Sequence, residues 1–235
     1  MPRYYRVLQD NGATVYGGSF RYDLPKWKGP KHNGRWIPGQ WMPEVKNPEL
    51  CVHGYHACTR EQVLGFLGYG LHIYLIELRG TIIIGNDKVV ASEARLLEEL
   101  PWGAEAARFF AVECAADVLP LMKDERSIAA LETAFRFACG DATPGNRRAL
   151  AVARRAAGAV ATSREYSVAG PRMYLASRSA AATAGLAEAP AVEWAAKFAA
   201  ESIAESAAYS AAYPAMYWAV RARQTDRLMW WLGEK

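Results

Sequence analysis

At 235 residues, 51% hydrophobic and 22% charged, the chain has room for one large globular domain or two modest ones, each with its own core. A formal charge of +4 allows an acidic partner without demanding one, because dedicated nucleic-acid binders concentrate their basic residues more heavily. Four cysteines do not suggest a disulfide scaffold, no apolar run reaches the roughly 18–20 residues that span a bilayer, and the start MPRYYRVLQDNG turns polar too early for an export signal, so a cytoplasmic protein with no membrane partner is expected.

In chain order, YYRVL (4–8) and ATVYGGSF (13–20) have β-prone content and are separated by the turn signal DNG. YDLPKWKGPKHNGRWIPGQWMP (22–43) follows, on a Pro/Gly backbone that reads as a long loop, neither helix nor sheet. It interleaves Lys26, Lys28, Lys31 and Arg35 with Trp27, Trp36 and Trp41. Indole faces stack on bases while cations neutralise phosphate, so such a loop can track single-stranded nucleic acid or hold a nucleotide. Alternatively, its tryptophans fold back and roof a small core. Loops of this length inside compact domains are often functional.

CVHGYHAC (51–58) concentrates metal-ligating residue types. A zinc site would need Cys51, His53, His56 and Cys58 to converge tetrahedrally, and Cys-x-His-x-x-His-x-Cys is not a usual structural spacing, so zinc is not expected. A turn at Gly54 followed by a strand fits better. Tyr55 and Ala57 then alternate with His56 and Cys58, leaving Cys58 as a small core residue and His56 either buried and hydrogen-bonded or lining a pocket.

TREQVLGFL (59–67) predicts a short helix with a capping box of Thr59 and Gln62. HIYLIEL (72–78) is apolar on both faces and predicts a central strand. TIIIG (81–85) and KVVAS (88–92) predict further strands joined through Asn86-Asp87. Residues 1–103 therefore read as an α+β domain with a small, mostly antiparallel sheet.

Composition shifts at PWG (101–103), and residues 104–235 read as an all-α bundle of about six Ala-rich helices. EAARFFAVECAADVL (105–119) and ERSIAALETAFRFACG (125–140) have helical spacing, with Gly140 as a C-cap. Pro144, Pro171 and Pro190 open later helices, and a four-residue period from Glu201 to Tyr217 passes Pro214, where a kink is expected. The doublets Arg147-Arg148 and Arg154-Arg155 share nearly one helix face. LMWWL (228–232) cannot be buried on one narrow face, so the C-terminal helices are expected to dock on the first domain or to form a homo-oligomer contact.

The run LCVHGYHACTREQVLGFLGYGLHIYLIELRG, then DKVVASEARLLEELPW, then Ala-rich helices ending in QTDRLMWWL, resembles an uncharacterised family of bacterial and phage proteins. That resemblance implies the two-part architecture and a recurrent unit of Gly54, Tyr55, His56 and Cys58, with no assigned activity. A second resemblance is to ADP-ribosyltransferase-like folds, carried by Tyr5-Arg6, Gly54-Tyr55-His56-Ala57 and Glu77 at the end of IYLIEL. It implies NAD as cofactor, with Glu77 orienting the ribose or acceptor and Tyr5, Arg6 and His56 holding the nucleotide. The chain lacks that family's Ser-Thr-Ser stretch and Glu-x-Glu pair. No phosphate loop, Gly-x-Ser-x-Gly elbow or dinucleotide glycine motif is present.

The sequence thus points first to a cofactor-free protein that binds a macromolecule, protein or nucleic acid, through Trp27, Lys28, Lys31, Arg35, Trp36, Trp41 and His56. The alternative is an NAD-using transferase built on Tyr5, Arg6, His56 and Glu77.

Overall fold

The computed structural model describes residues 2–14, 20–29, 34–67, 72–117, 119, 124–140, 148–149, 151–152, 155 and 213–234. The chain divides into two compact units, Met1–Trp102 with Leu232–Lys235, and Gly103–Trp231. It is a mixed α+β protein.

In the first unit, β1 (Tyr4–Leu8), β4 (Tyr55–Ala57), β5 (His72–Ile84) and β6 (Val89–Glu99) form an antiparallel sheet in the order β1-β5-β6-β4. HIYLIEL (72–78) and TIIIG (81–85), expected as two strands, fall in one long strand, His72–Ile84. Gly80 makes this continuity work: its φ of +74 suits glycine, and a Cβ there would lie 2.1 Å from the Ser92 hydroxyl. That hydroxyl instead accepts the Thr81 N–H at 3.0 Å, while the ladder shifts register between Arg79 and Ile82. The result is a β-bulge that bends the hairpin without ending it. At its tip, Gly85 N–H donates to Lys88 C=O at 2.8 Å across Asn86-Asp87.

Tyr5 and Cys58 exchange both backbone hydrogen bonds at 2.8 Å, one residue beyond β4. This bridge draws the two outer strands of the sheet together and curls it towards closure. β1 is consequently buried on both faces, as its unbroken run of bulky residues suggests. Tyr4, Leu8, Tyr22, Tyr55, Ala57, Tyr74, Ile76, Val89, Ala94 and Leu96 form one core cluster. A single 3-10 turn, Val63–Phe66, with Gln62 at its N-cap position, stands in place of the expected longer helix. Half of the capping box is formed, with Gln62 Oε1 accepting the Thr59 N–H at 2.9 Å.

The segment 22–43 departs most from expectation, because part of it is a sheet. β2 (Lys26–Lys28) and β3 (Arg35–Ile37) pair antiparallel, with Trp27 opposite Trp36. Two aromatic residues facing each other across a ribbon supply the side-chain contact that three-residue strands otherwise lack. Beyond it, Gly39, Met42 and Val45 donate their N–H groups to the carbonyls of Leu96, Ala94 and Ser92, each at 2.9 Å, so that residues 39–45 run along β6.

Among the described residues the second unit contains α1 (Ala104–Ala116), α2 (Glu125–Ala138) and α3 (Tyr213–Trp231). Asp124 caps α2 by accepting the Arg126 N–H at 2.9 Å, and Ser127, Ala130, Leu131, Ala134, Phe137 and Ala138 form its buried stripe. α3 is tied to α1 by Arg227, which grips Asp117 with two nitrogens at 3.1 and 3.2 Å. The Trp231 indole adds a donor to Glu113 at 2.9 Å and stacks on Phe109. The tyrosine period before residue 213, Pro144, Pro171, Pro190, Arg147 and Arg154 lie outside the described residues. No helix of the described residues is long and apolar enough to cross a membrane.

Candidate binding surface

The ribbon β2–β3 stands on a fixed base. Asp23 Oδ2 accepts the Gln40 N–H at 2.9 Å, and the two legs approach so closely that a Cβ on Gly39 would lie 2.0 Å from the Asp23 carbonyl oxygen. Gly39 itself is bonded to β6 through Leu96. The hairpin is therefore a projection pinned to the main sheet rather than a loop laid over it.

Strand alternation divides its side chains. Trp27 and Trp36 share one face, their ring centroids 5.4 Å apart and tilted by 60°. Lys26, Lys28, Arg35 and Ile37 belong to the other. Trp27 is 53% exposed although it is a large aromatic residue, and its indole edge lies over Gly34, where a Cβ would come within 3.3 Å. Lys26, Lys28 and Arg35 are exposed, and no ion pair to a carboxylate is formed by them among the described residues. Between positions 21 and 41 the sequence holds Arg21, Lys26, Lys28, Lys31 and Arg35 against the single acid Asp23, whose carboxylate is taken by Gln40. Lys31 lies outside the described residues.

Trp41 has a different environment. The Arg79 and Arg95 guanidinium groups lie 3.9 and 4.7 Å from its ring centroid, and each is held by a cross-strand carboxylate, Glu93 at 2.6 Å and Glu77 at 2.7 Å. Its ring is packed against two cations whose charges are already matched. Glu77 is thus a rung of this ladder on the sheet surface, paired with Arg95, which lies directly opposite it in the register.

The eight residues 51–58 form a turn braced by a histidine. Cys51 adopts a left-handed φ of 64 and Gly54 a φ of 116. His56 Nε2 accepts the Cys51 N–H at 3.0 Å. Burial lowers the His56 pKa below its ordinary value, with the nearby Arg6 and Lys88 charges acting in the same direction. A neutral ring is what an accepting Nε2 requires. His53 Nε2 lies 3.1 Å from the Lys46 carbonyl, and Cys58 is 4% exposed with its thiol pushed up to about 12 by burial. These positions are occupied by separate tasks, and among the described residues no group of three His, Cys, Asp or Glu is arranged to hold a metal ion.

The four residues of the transferase resemblance fall in different places. Arg6 donates to the His56 carbonyl at 2.7 Å, so these two meet, although through backbone rather than ring. Tyr5 alternates to the opposite face of β1, is 2% exposed, and has its hydroxyl pKa pushed up to about 12 by burial. Glu77 is committed to Arg95 beside Trp41. Comparison with protein-family models, with curated proteins and with solved structures gave no match.

Proposed function

We propose that this protein binds single-stranded nucleic acid through the β2–β3 ribbon. The observation that carries the reading is an exposed Trp27 paired with a half-buried Trp36, backed on the same narrow ribbon by Lys26, Lys28 and Arg35, which have no carboxylate partner among the described residues. Every base has a π face, so stacking on Trp27 is tolerant of sequence. Lysine and arginine stems are long enough to reach around a two-stranded ribbon and place their charges beside the backbone of a strand stacked on the other face. Arg21 and Lys31 add charge to the same stretch. His56 supports the surface indirectly, by holding the turn from which β4 enters the sheet. On this reading the protein works in the cytoplasm without a cofactor, and residues 104–235 form the Ala-rich helical bundle that their composition suggests.

The test is a titration of intrinsic tryptophan fluorescence with a single-stranded homopolymer oligonucleotide at low salt. Stacking quenches the indoles, so saturable quenching is expected, and it is expected to be lost in a Lys26→Glu/Lys28→Glu variant. Absence of quenching in the native protein, or quenching unchanged in the variant, would remove the proposal.

A further inference from the structure

We infer that two copies of this chain pair through the free edge of β5, centred on Ile83. β1 covers only His72–Ile76 of β5, and β6 occupies the opposite edge. From Glu77 to Ile84 the outer edge of β5 has no partner strand among the described residues, so its backbone donors and acceptors on that side are available to another strand. Towards the hairpin tip the side chains on this edge are apolar and partly exposed. Ile82, Ile83 and Ile84 are 38%, 38% and 65% exposed, whereas their β6 partners Ala91, Val90 and Val89 are all completely buried. Three consecutive isoleucines expose apolar surface on both faces of one strand, and none of Thr81–Ile84 is a lysine or a proline, the residues that commonly blunt an edge.

The flanking charges select a second copy as the occupant. Arg79 stands four residues before Ile83 and Asp87 four residues after it, with side chains 51% and 70% exposed. In an antiparallel pair centred on Ile83, Ile83 faces itself and Ile82 faces Ile84. Just outside that paired stretch, the same two-fold axis brings the Arg79 end of each copy to the Asp87 turn of the other. Each charge has a partner within its own chain, Glu93 at 2.6 Å and Lys88 at 3.1 Å, and Arg79 also packs on Trp41, so a contact with a second copy would add to these partners through the exposed part of each side chain. The segment is therefore self-complementary about a two-fold axis in both apolar content and charge. Such a contact is isologous and closes at two copies. The bulge at Gly80 marks one end of the paired stretch and the Asn86-Asp87 turn the other.

Sedimentation equilibrium of the whole chain tests this, with variants that leave the buried side of the sheet untouched. The native protein is expected to associate reversibly to a dimer. Ile83→Lys brings two like charges together at the axis, and the change counts in both copies, so the dissociation constant should rise at least about tenfold. Asp87→Lys, at an exposed turn, should weaken the dimer in the same direction by opposing Arg79 of the second copy, and it serves where circular dichroism shows that Ile83→Lys has lost its fold. In a Cys51→Ser/Cys139→Ser background, which removes the exposed native thiols, Ile83→Cys is expected to give disulfide-linked dimers under mild oxidation. The facing Cβ atoms would stand about 4.5–5.5 Å apart, near disulfide reach. A native protein that stays monomeric, a dimer unaffected by folded Ile83→Lys and Asp87→Lys variants, or an Ile83→Cys variant that does not cross-link would overturn the inference.

Discussion

His56→Ala gives the sharpest test of how the front of the sheet is built. The substitution removes the acceptor of the Cys51 N–H at a turn that already holds Cys51 in a left-handed conformation. A hydrogen bond of this kind contributes about 0.5–1.5 kcal/mol, and a left-handed non-glycine residue costs about 1 kcal/mol or more to hold. The variant is therefore expected to lose about 1–2 kcal/mol at neutral pH, or roughly 4–8 °C in Tm for each kcal/mol in a unit of this size. The effect has a sign in pH. The folded pKa of His56 lies below its ordinary 6.5, so the unfolded chain takes up the proton first on acidification. The brace contributes fully above about pH 6.5 and is lost as pH falls through the folded pKa. Thermal melts of both proteins between pH 8 and pH 5, run in matched buffers, isolate this, because the other titrating groups cancel in the difference. The gap in Tm should narrow towards low pH. A gap that is constant or widens would show that the neutral ring is not what holds the turn.

Trp27→Ala, at a mostly exposed position, should leave the melting curve nearly unchanged while weakening single-stranded oligonucleotide binding about 5- to 150-fold in a filter-binding assay, the worth of one base–aromatic stack. Gly39→Ala forces a methyl group against the Asp23 carbonyl and should cost about 1–3 kcal/mol in urea unfolding, with the ribbon displaced from its base. Ellman titration of the native protein should find Cys51 and Cys139 reactive and Cys58 and Cys114 silent until denaturant is added, since burial raises both buried thiols to about 12.

What the sequence made legible is what depends on local pattern. Alternation at 55–58 marked Cys58 as a small buried residue, although it did not show that Tyr55 and Ala57 on the other face are buried as well, and the spacing in 125–138 marked one helix face. Gln62 three residues after Thr59 signalled the bond its side chain accepts from the Thr59 N–H, although the one-turn helix begins after Gln62 and not at Thr59. Features that depend on register were hidden. Nothing near Trp41 announces that it will lie against Arg79 and Arg95, residues 38 and 54 positions away, because only the β5–β6 pairing brings those two side chains beside it. The β2–β3 ribbon was masked by the glycines and prolines around it. Its one available signal was the matched aromatic pair in KWK and RWI. Likewise, HIYLIEL and TIIIG read as separate strands because a glycine bulge and a strand end have the same local sequence cue.

The most direct measurement is the salt dependence of binding to a fluorescently labelled single-stranded homopolymer, followed by anisotropy. If Lys26, Lys28 and Arg35 neutralise phosphates, with or without Lys31, log affinity should fall against log salt with a slope between about −2 and −3, and a Lys26→Glu/Lys28→Glu/Arg35→Glu variant should not bind. A native protein that fails to bind at low salt, or one whose slope survives removal of those three charges, would contradict the account.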